Sequence, residues 1–419
     1  MMYCTGSERM SSARPIAGCV RKGVLHNAEN IAPEDRPFMK IKQIQFSDVP
    51  DADALAELQS VGPQVVLVFG SIDLLKKNDM DQALHQSFPR AALLGCSTAG
   101  EITAQGVYEK TCVVSAIRFE HDIGLRTAEA SVPVMEDSQM AGERLGRQLA
   151  GPGLRAVLLF GKGVGVNGSA VIEGLISHIG PDVPVTGGLA GDDGAFVGSL
   201  TVTPSGIRAD AVVGLGLYGD DLIVGHGSYG GWVPFGPARK VTRSEGNVLY
   251  ELDGEPALNI YKRYLGDYAK ELPASGLLFP FEMLNENHDA MGLVRSTLAI
   301  DEAQGSLILA GDIVANGYLR LMHASTNQLV DGADVAAKQV RGCLPQDVPP
   351  GLAILVSCVG RRLVMGDQVD DEVDVVANTL GRQNALTGFY SYGEISPFTA
   401  TTDCRLHNQT MTVTYLGER

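Results

Sequence analysis

The octapeptide GCSTAGEI (95–102) returns late in the chain as GFYSYGEI (388–395), so G-x-x-[ST]-x-G-E-I is written twice. The flanks repeat as well. Hydrophobic period predicts strands at 40–48, 64–70, 91–98 and 111–119 around the first copy, with helices at 52–62 and 80–88. The same order follows with strands at 123–131, 156–163, 184–188 and 211–218 and helices at 135–151 and 169–180. A third copy runs through a strand at 318–325, helix 327–342, strand 352–360, helix 371–383, the strand GFYSYGEI and a strand at 409–416. One order recurring three times in register marks an internal repeat.

Each unit is β-α-β-α-β-β, which predicts an α/β fold: mainly parallel or mixed sheets flanked by helices, in two domains. Strands such as VVLVFG are apolar without interruption, as when helices cover both faces of a parallel strand. Right-handed crossovers put the strand C-terminal ends on one rim. The turns GCSTAGEI, GGLAGDDG (187–194) and GFYSYGEI are therefore expected to line equivalent clefts. A dissimilar segment at 230–281 holds the only tryptophan, Trp232, and suits a domain joint. The expected domains are 39–258, with two units, and 259–419, with the third. Residues 1–38 are polar and aperiodic and read as a disordered leader.

Net charge is −16 and no basic run exceeds Lys76-Lys77 or Arg361-Arg362, which argues against nucleic acid or an anionic membrane as partner. Seven scattered cysteines without C-x-x-C exclude a disulfide framework, a zinc ribbon and an iron–sulfur site, and fit a reducing cytoplasm. Neither a spanning apolar segment nor a secretory signal is present in the sequence.

Chemistry-bearing motifs are few. Gly163–Gly168, GVGVNG, has the G-x-G-x-x-G spacing of a dinucleotide loop between a strand and a helix, but no acidic residue ends a following strand at the required distance. GCSTAG lacks the glycine of a hydrolase elbow, because Ala99 stands there, so Ser97 is not read as a nucleophile. Cys96 is a candidate nucleophile or a small buried thiol. Glu101 and Glu394 occupy equivalent places and either contact a ligand or hold a turn. The ligand-cleft candidates are Cys96, Ser97, Gly100, Glu101, Gly187, Gly188, Arg295, Tyr390, Tyr392 and Glu394. His226, His323 and His407 lie on or beside strands near glycine-rich turns. Any of them could be the single axial imidazole of a non-covalent haem, or a structural histidine.

GCSTAGEI, the stretch GGWVPFGPARKVTRSEGNVLYELDGEPALNIYKRYLG (230–266), LVRSTLAID (293–301), AGDI (310–313) and GFYSYGEI with HNQTM (407–411) resemble the FIST sensory-domain family over about residues 60 to 418. The resemblance implies a non-catalytic, ligand-binding module of bacterial signal transduction. GGWVPFGP, LPASGLLFPF and LRLMHASTNQLVDGA are most similar to a subfamily of stand-alone haemoproteins. That subfamily implies haem b, nitric oxide as the sensed gas, a separate histidine kinase as partner and an effect on cyclic-di-GMP signalling; a homodimer is left open. The rival expectation is a sensor for a small organic ligand such as an amino acid, its carboxylate received by the fork of Arg295. A nucleotide-binding enzyme using GVGVNG is the third.

Overall fold

The apolar strands do become sheet centres. The computed structural model describes residues 39–314, 316–397 and 404–419; the expected leader lies outside them. Val65–Gly70 and Leu352–Cys358 are buried along their whole length. Each of the three six-stranded sheets has a single parallel pair at its heart: Val65–Gly70 with Ala92–Ser97, Leu154–Gly161 with Val185–Leu189, and Leu352–Cys358 with Ala385–Ser391. Antiparallel strands flank each pair, so the sheets are mixed. Helices start where short polar side chains cap them. Asp51 accepts from the Ala54 N–H at 2.8 Å, Asn167 from Ala170 at 3.1 Å, and Ser325 forms a capping box with Gln328.

Sheet pairing revises the third unit. Its outer strand, antiparallel to Met411–Glu418, is Leu222–Tyr229 rather than the expected 318–325. Lys40–Phe46 and Gly124–Ser131 hold the same place in the other two sheets. The segment between Tyr229 and the helix Thr326–Cys343 is thus inserted within the third unit. It builds a further sheet of nine strands, in which Tyr318–His323 pairs with Phe281–Leu284. LIVGHGSY gives a poor apolar signal because two of its residues are glycines facing the helix. A Cβ on Gly227 would stand 2.1 Å from the Ala336 carbonyl oxygen, so a missing side chain is what lets the helix close.

The repeats exchange hairpins in a cycle. Glu101–Thr103 and Gly106–Tyr108 leave the first unit and extend the third sheet, alongside Ala385–Ser391. Thr201–Thr203 and Gly206–Arg208 of the second unit extend the first sheet beside Ala92–Ser97. Gly393–Pro397 and Cys404–His407 of the third extend the second sheet beside Val185–Leu189. GFYSYGEI is consequently not one strand but two, broken at Tyr392.

Where the three crossings meet, the backbone closes a ring. Ala99 N–H donates to the Tyr390 carbonyl at 2.8 Å, Gly191 to Ser97 at 2.8 Å and Tyr392 to Leu189 at 3.1 Å. The donors stand four residues, and the acceptors two, after Gly95, Gly187 and Gly388. Those glycines are needed for close approach. A Cβ there would lie 1.8, 2.0 and 1.9 Å from the carbonyl oxygens of Val68, Leu159 and Leu355. An incoming β-branched side chain pairs opposite each: Val202 at Gly95, Ile395 at Gly187 and Ile102 at Gly388. Phe69, Phe160 and Phe389, one per unit, meet beside the ring with centroids 4.7 to 6.1 Å apart.

Gly388→Ala is expected to lower stability by about 3 kcal/mol or more, because the new methyl meets backbone that cannot yield. Urea unfolding followed by circular dichroism checks this; a loss below about 1 kcal/mol would show that the junction can relax.

Candidate functional site

The repeated corners do not line three equivalent clefts, as their glycines led us to expect; they pack against one another, and only Leu189 and Tyr392 among them border a cleft. Cys96, Ser97, Glu101, Tyr390 and Glu394 are all completely buried. Burial pushes the Cys96 thiol far up, which keeps it protonated and unreactive. Ser97 Oγ donates to the Gly191 carbonyl at 2.6 Å and accepts from the Leu200 N–H at 2.9 Å, joining two units. The Gly100 carbonyl accepts from the Tyr390 N–H, and Gly187 and Gly188 stand under the donated strand.

The two glutamates clamp their hairpins. Glu101 accepts from the Thr98 hydroxyl and from the N–H and hydroxyl of Thr111. Glu394 accepts from the Ser391 hydroxyl and from the N–H and hydroxyl of Thr410. Burial outweighs these donors and raises each carboxyl to about 7. Tyr390 donates to Glu372 at 2.5 Å. Glu372 in turn pairs with Arg361 at 2.6 Å, both fully buried. Arg361 also donates to the Gly230 and Leu329 carbonyls, tying the root of the insertion to the third unit. The sequence disguised this pair: Arg361-Arg362 reads as a short basic run, yet Arg361 is in the core and Arg362 reaches Glu109 and the Ala99 carbonyl of the first unit.

The three histidines differ sharply in access. His407 is buried, its Nε2 is 3.0 Å from the Ser396 carbonyl oxygen, and burial drives it down to about 4, so it stays neutral. His226 is half-buried in mid-strand opposite Thr414, and burial lowers it too. His323 is exposed at the end of its strand. It fronts a cleft of about 520 Å3 with Phe235, Tyr268, Leu278, Phe279, Leu363 and Val364, and its ring meets Phe235 edge-on at 5.5 Å.

Arg295 and Tyr392 line opposite ends of a groove between the helix Gly168–Ile179 and the inserted sheet. One end, about 260 Å3, is lined by the GVGVNG loop, Phe196, Asn247, Leu298 and Tyr392. The other, about 600 Å3, holds Ser169, Glu173, Met283, Met291, Arg295 and Arg405. Asp312 and Leu406 line both ends, which meet at these two residues. Tyr392 is a fixed wall: its hydroxyl donates to Asp192, accepts from the Gly194 N–H at 3.0 Å, and its ring stacks on Phe196 at 4.1 Å.

The GVGVNG loop is poorly placed for a phosphate. Its Gly163 N–H is taken by Ser199 Oγ at 2.8 Å, the Asn167 N–H by Ser138 Oγ at 3.0 Å, and the Ala170 N–H by Asn167. The first glycine serves packing, since a Cβ there would lie 1.8 Å from the Ala190 carbonyl oxygen. A larger cleft of about 920 Å3 beside Gln59, Arg90 and Arg118 holds none of the predicted residues. No helix among the described residues is long and apolar enough to cross a membrane.

Comparison with known proteins gives two family matches, the FIST N domain over residues 64–255 and the FIST C domain over 257–397. An uncharacterized protein of Methanocaldococcus jannaschii is 27% identical over 246 residues, 51% of this chain and 45% of that protein, so the chain spans less than half of that relative's length. Cyanuric acid hydrolase from A. caulinodans superposes with a TM-score of 0.36 at 9% identity, covering 92% of this chain and 99% of that one.

The raised carboxyls predict a pH dependence. A carboxyl whose pKa is higher folded than unfolded stabilises fully below about 4.5 and loses that contribution as pH rises through 7. Glu394→Gln fixes the uncharged form, so its stability relative to the parent should improve by about 1–3 kcal/mol between pH 5 and pH 8. Urea midpoints at both pH values measure it, and parallel curves would show that Glu394 does not titrate in that range.

Proposed function

The chain belongs to the FIST family of sensory domains, and from that premise we propose that it is a non-catalytic sensor in signal transduction that holds haem b at His323 and responds to nitric oxide. The observation that carries the haem reading is the cleft in front of His323. Tyr268 and Leu363 are 50% and 53% exposed there, beside Phe235 and Phe279. Large apolar side chains gathered in the open around one accessible imidazole suit a flat apolar ligand with a single axial nitrogen donor. The donor set fits: His407 is 4% exposed at the edge of a cleft of about 260 Å3 beside Trp232 and Met322, with its Nε2 held at the Ser396 carbonyl, and His226 lines none of the clefts described, whereas His323 is exposed.

Haem, when bound, supplies an iron that takes up a diatomic gas. His323 offers the ring nitrogen, and Phe235 and Phe279 exclude water from that side of the cleft. The strand ending at His323 passes within three residues into the helix Thr326–Cys343 through the Ser325 capping box. That helix lies on the outer strand of the third sheet, so tension on His323 is delivered to a packed repeat. A gas makes too few contacts to move a protein by itself; a change in the hold on His323 biasing this helix is the coupling proposed. The read-out is a separate histidine kinase and cyclic-di-GMP signalling in the cytoplasm, as the family resemblance implies.

Purified full-length protein titrated with haem should give a Soret band that nitric oxide displaces. His323→Ala should weaken or shift the band, while His226→Ala leaves it unchanged. No Soret band overturns the haem reading, and an unaltered band in His323→Ala overturns the choice of ligand.

A further inference from the structure

The second repeat departs from the other two at its corner. Ile102 stands seven positions after Gly95 and Ile395 seven after Gly388, whereas Val202 stands fifteen after Gly187. The second unit thus carries eight additional residues there, and they form a loop that is held in place. The Asp192 carboxylate accepts from the N–H groups of Phe196 and Val197 at 2.8 Å and of Gly198 at 2.9 Å. The Tyr392 hydroxyl of the third unit accepts from the Gly194 and Phe196 N–H groups at 3.0 and 3.3 Å, and the rings of Tyr392 and Phe196 stack. Phe196 has φ 55°, a left-handed backbone that an aromatic residue adopts only where its surroundings impose it. The result of this fixing is Val197 at 84% exposure, the most exposed large apolar side chain among the described residues. A valine held rigidly in water adds nothing to the fold. An apolar cleft adjoins it. The end of the groove of about 260 Å3, next to Phe196, is bordered by Val164, Val166, Met135 and Leu298, the last two 45% and 40% exposed. Charge around this surface is one-sided: segments 133–140, 163–168, 189–199 and 309–312 hold Glu136, Asp137, Asp192, Asp193 and Asp312 and no lysine or arginine. Burial, Asp73 and Asp192 hold the Asp193 carboxyl above its usual range, with Lys110 a partial offset. Lys162, just before the cleft, and Arg295, at the far end of the groove, are both buried.

We propose that Val197 and the cleft beside it form a docking surface for a partner protein that presents an apolar side chain flanked by lysines or arginines. The apolar side chain enters the cleft beside Met135 and Leu298, Val197 packs against its flank, and the basic groups meet Glu136, Asp193 and Asp312. A loop already fixed in its bound shape loses little conformational freedom on docking. A second copy of this chain would bring the same carboxylates to the interface, and that repulsion selects a basic partner over self-association. The surface shares no lining residue with the His323 cleft, and the proposal does not rest on haem.

The test is fluorescence anisotropy on the full chain with three labelled helical peptides of equal length. One is an amphipathic leucine–lysine helix, the second a leucine–glutamate version, and the third keeps the lysines with serine in place of leucine. Only the leucine–lysine peptide should bind tightly, and added salt should weaken it. Val197→Ser and Leu298→Ser, both at exposed positions, should each weaken that binding about tenfold. Val335→Ser, at an exposed apolar position on the helix Thr326–Cys343, should leave it unchanged. Equal binding by Val197→Ser and the parent overturns the proposal. So does equal binding of the serine–lysine peptide, which would reduce the interaction to net charge. A concentration-dependent dimer in sedimentation, dispersed by Val197→Ser, would also overturn it by giving the surface to a second copy.

Discussion

Three backbone hydrogen bonds closed in a ring, Ala99 to Tyr390, Gly191 to Ser97 and Tyr392 to Leu189, hold the three repeats to one another. Each bond exists only because a glycine four residues earlier lets a neighbouring strand come closer than any side chain would allow. Once the chain has passed that point it is already in the next sheet, and the hairpin that follows completes a neighbour rather than its own unit. No repeat can then fold its sheet alone, which is the general condition of stacked repeats. Here the stack is closed on itself, so the donated hairpins leave no unit as a terminal one.

That closure explains the most conspicuous buried chemistry. Glu101 and Glu394 have the look of active-site carboxylates, raised to about 7 and hydrogen-bonded on both oxygens. Their partners are the residues at the base of each exchanged hairpin, so the shift follows from burial at a structural joint. In the second unit Thr201 takes the same pairing position and donates to the Ala211 carbonyl instead. A perturbed carboxyl is thus a guide to function only where a cleft reaches it, and none of the described clefts reaches these two.

Accessible chemistry gathers where the repetition is broken. The insertion between Tyr229 and Thr326 carries Phe235, Tyr268, Phe279, Arg295, Asp312 and His323. Both the aromatic cleft and the Arg295 groove form where this sheet meets the repeats. A symmetric core that is fully packed has little left to bind with, and an insertion against its flank creates the concave surfaces it lacks.

From the sequence alone the strands and helices of two units were legible, because apolar runs bounded by polar caps such as Asp51 and Asn167 are local signals. So were the repetition itself and, from residues such as GGWVPFGP, the family. Leu222–Tyr229 was not, since Gly225 and Gly227 erase the apolar pattern on the face that packs against the helix. Nor was the exchange of hairpins: GCSTAGEI and GFYSYGEI carry the glycines that permit a crossing, but which sheet receives the strand depends on partners far away in the chain. The same holds for charge. Composition shows arginines and glutamates, and only the packed structure decides that Arg361 is neutralised by Glu372 while Arg295 is left facing a groove, because desolvation and pairing are properties of the assembled surroundings.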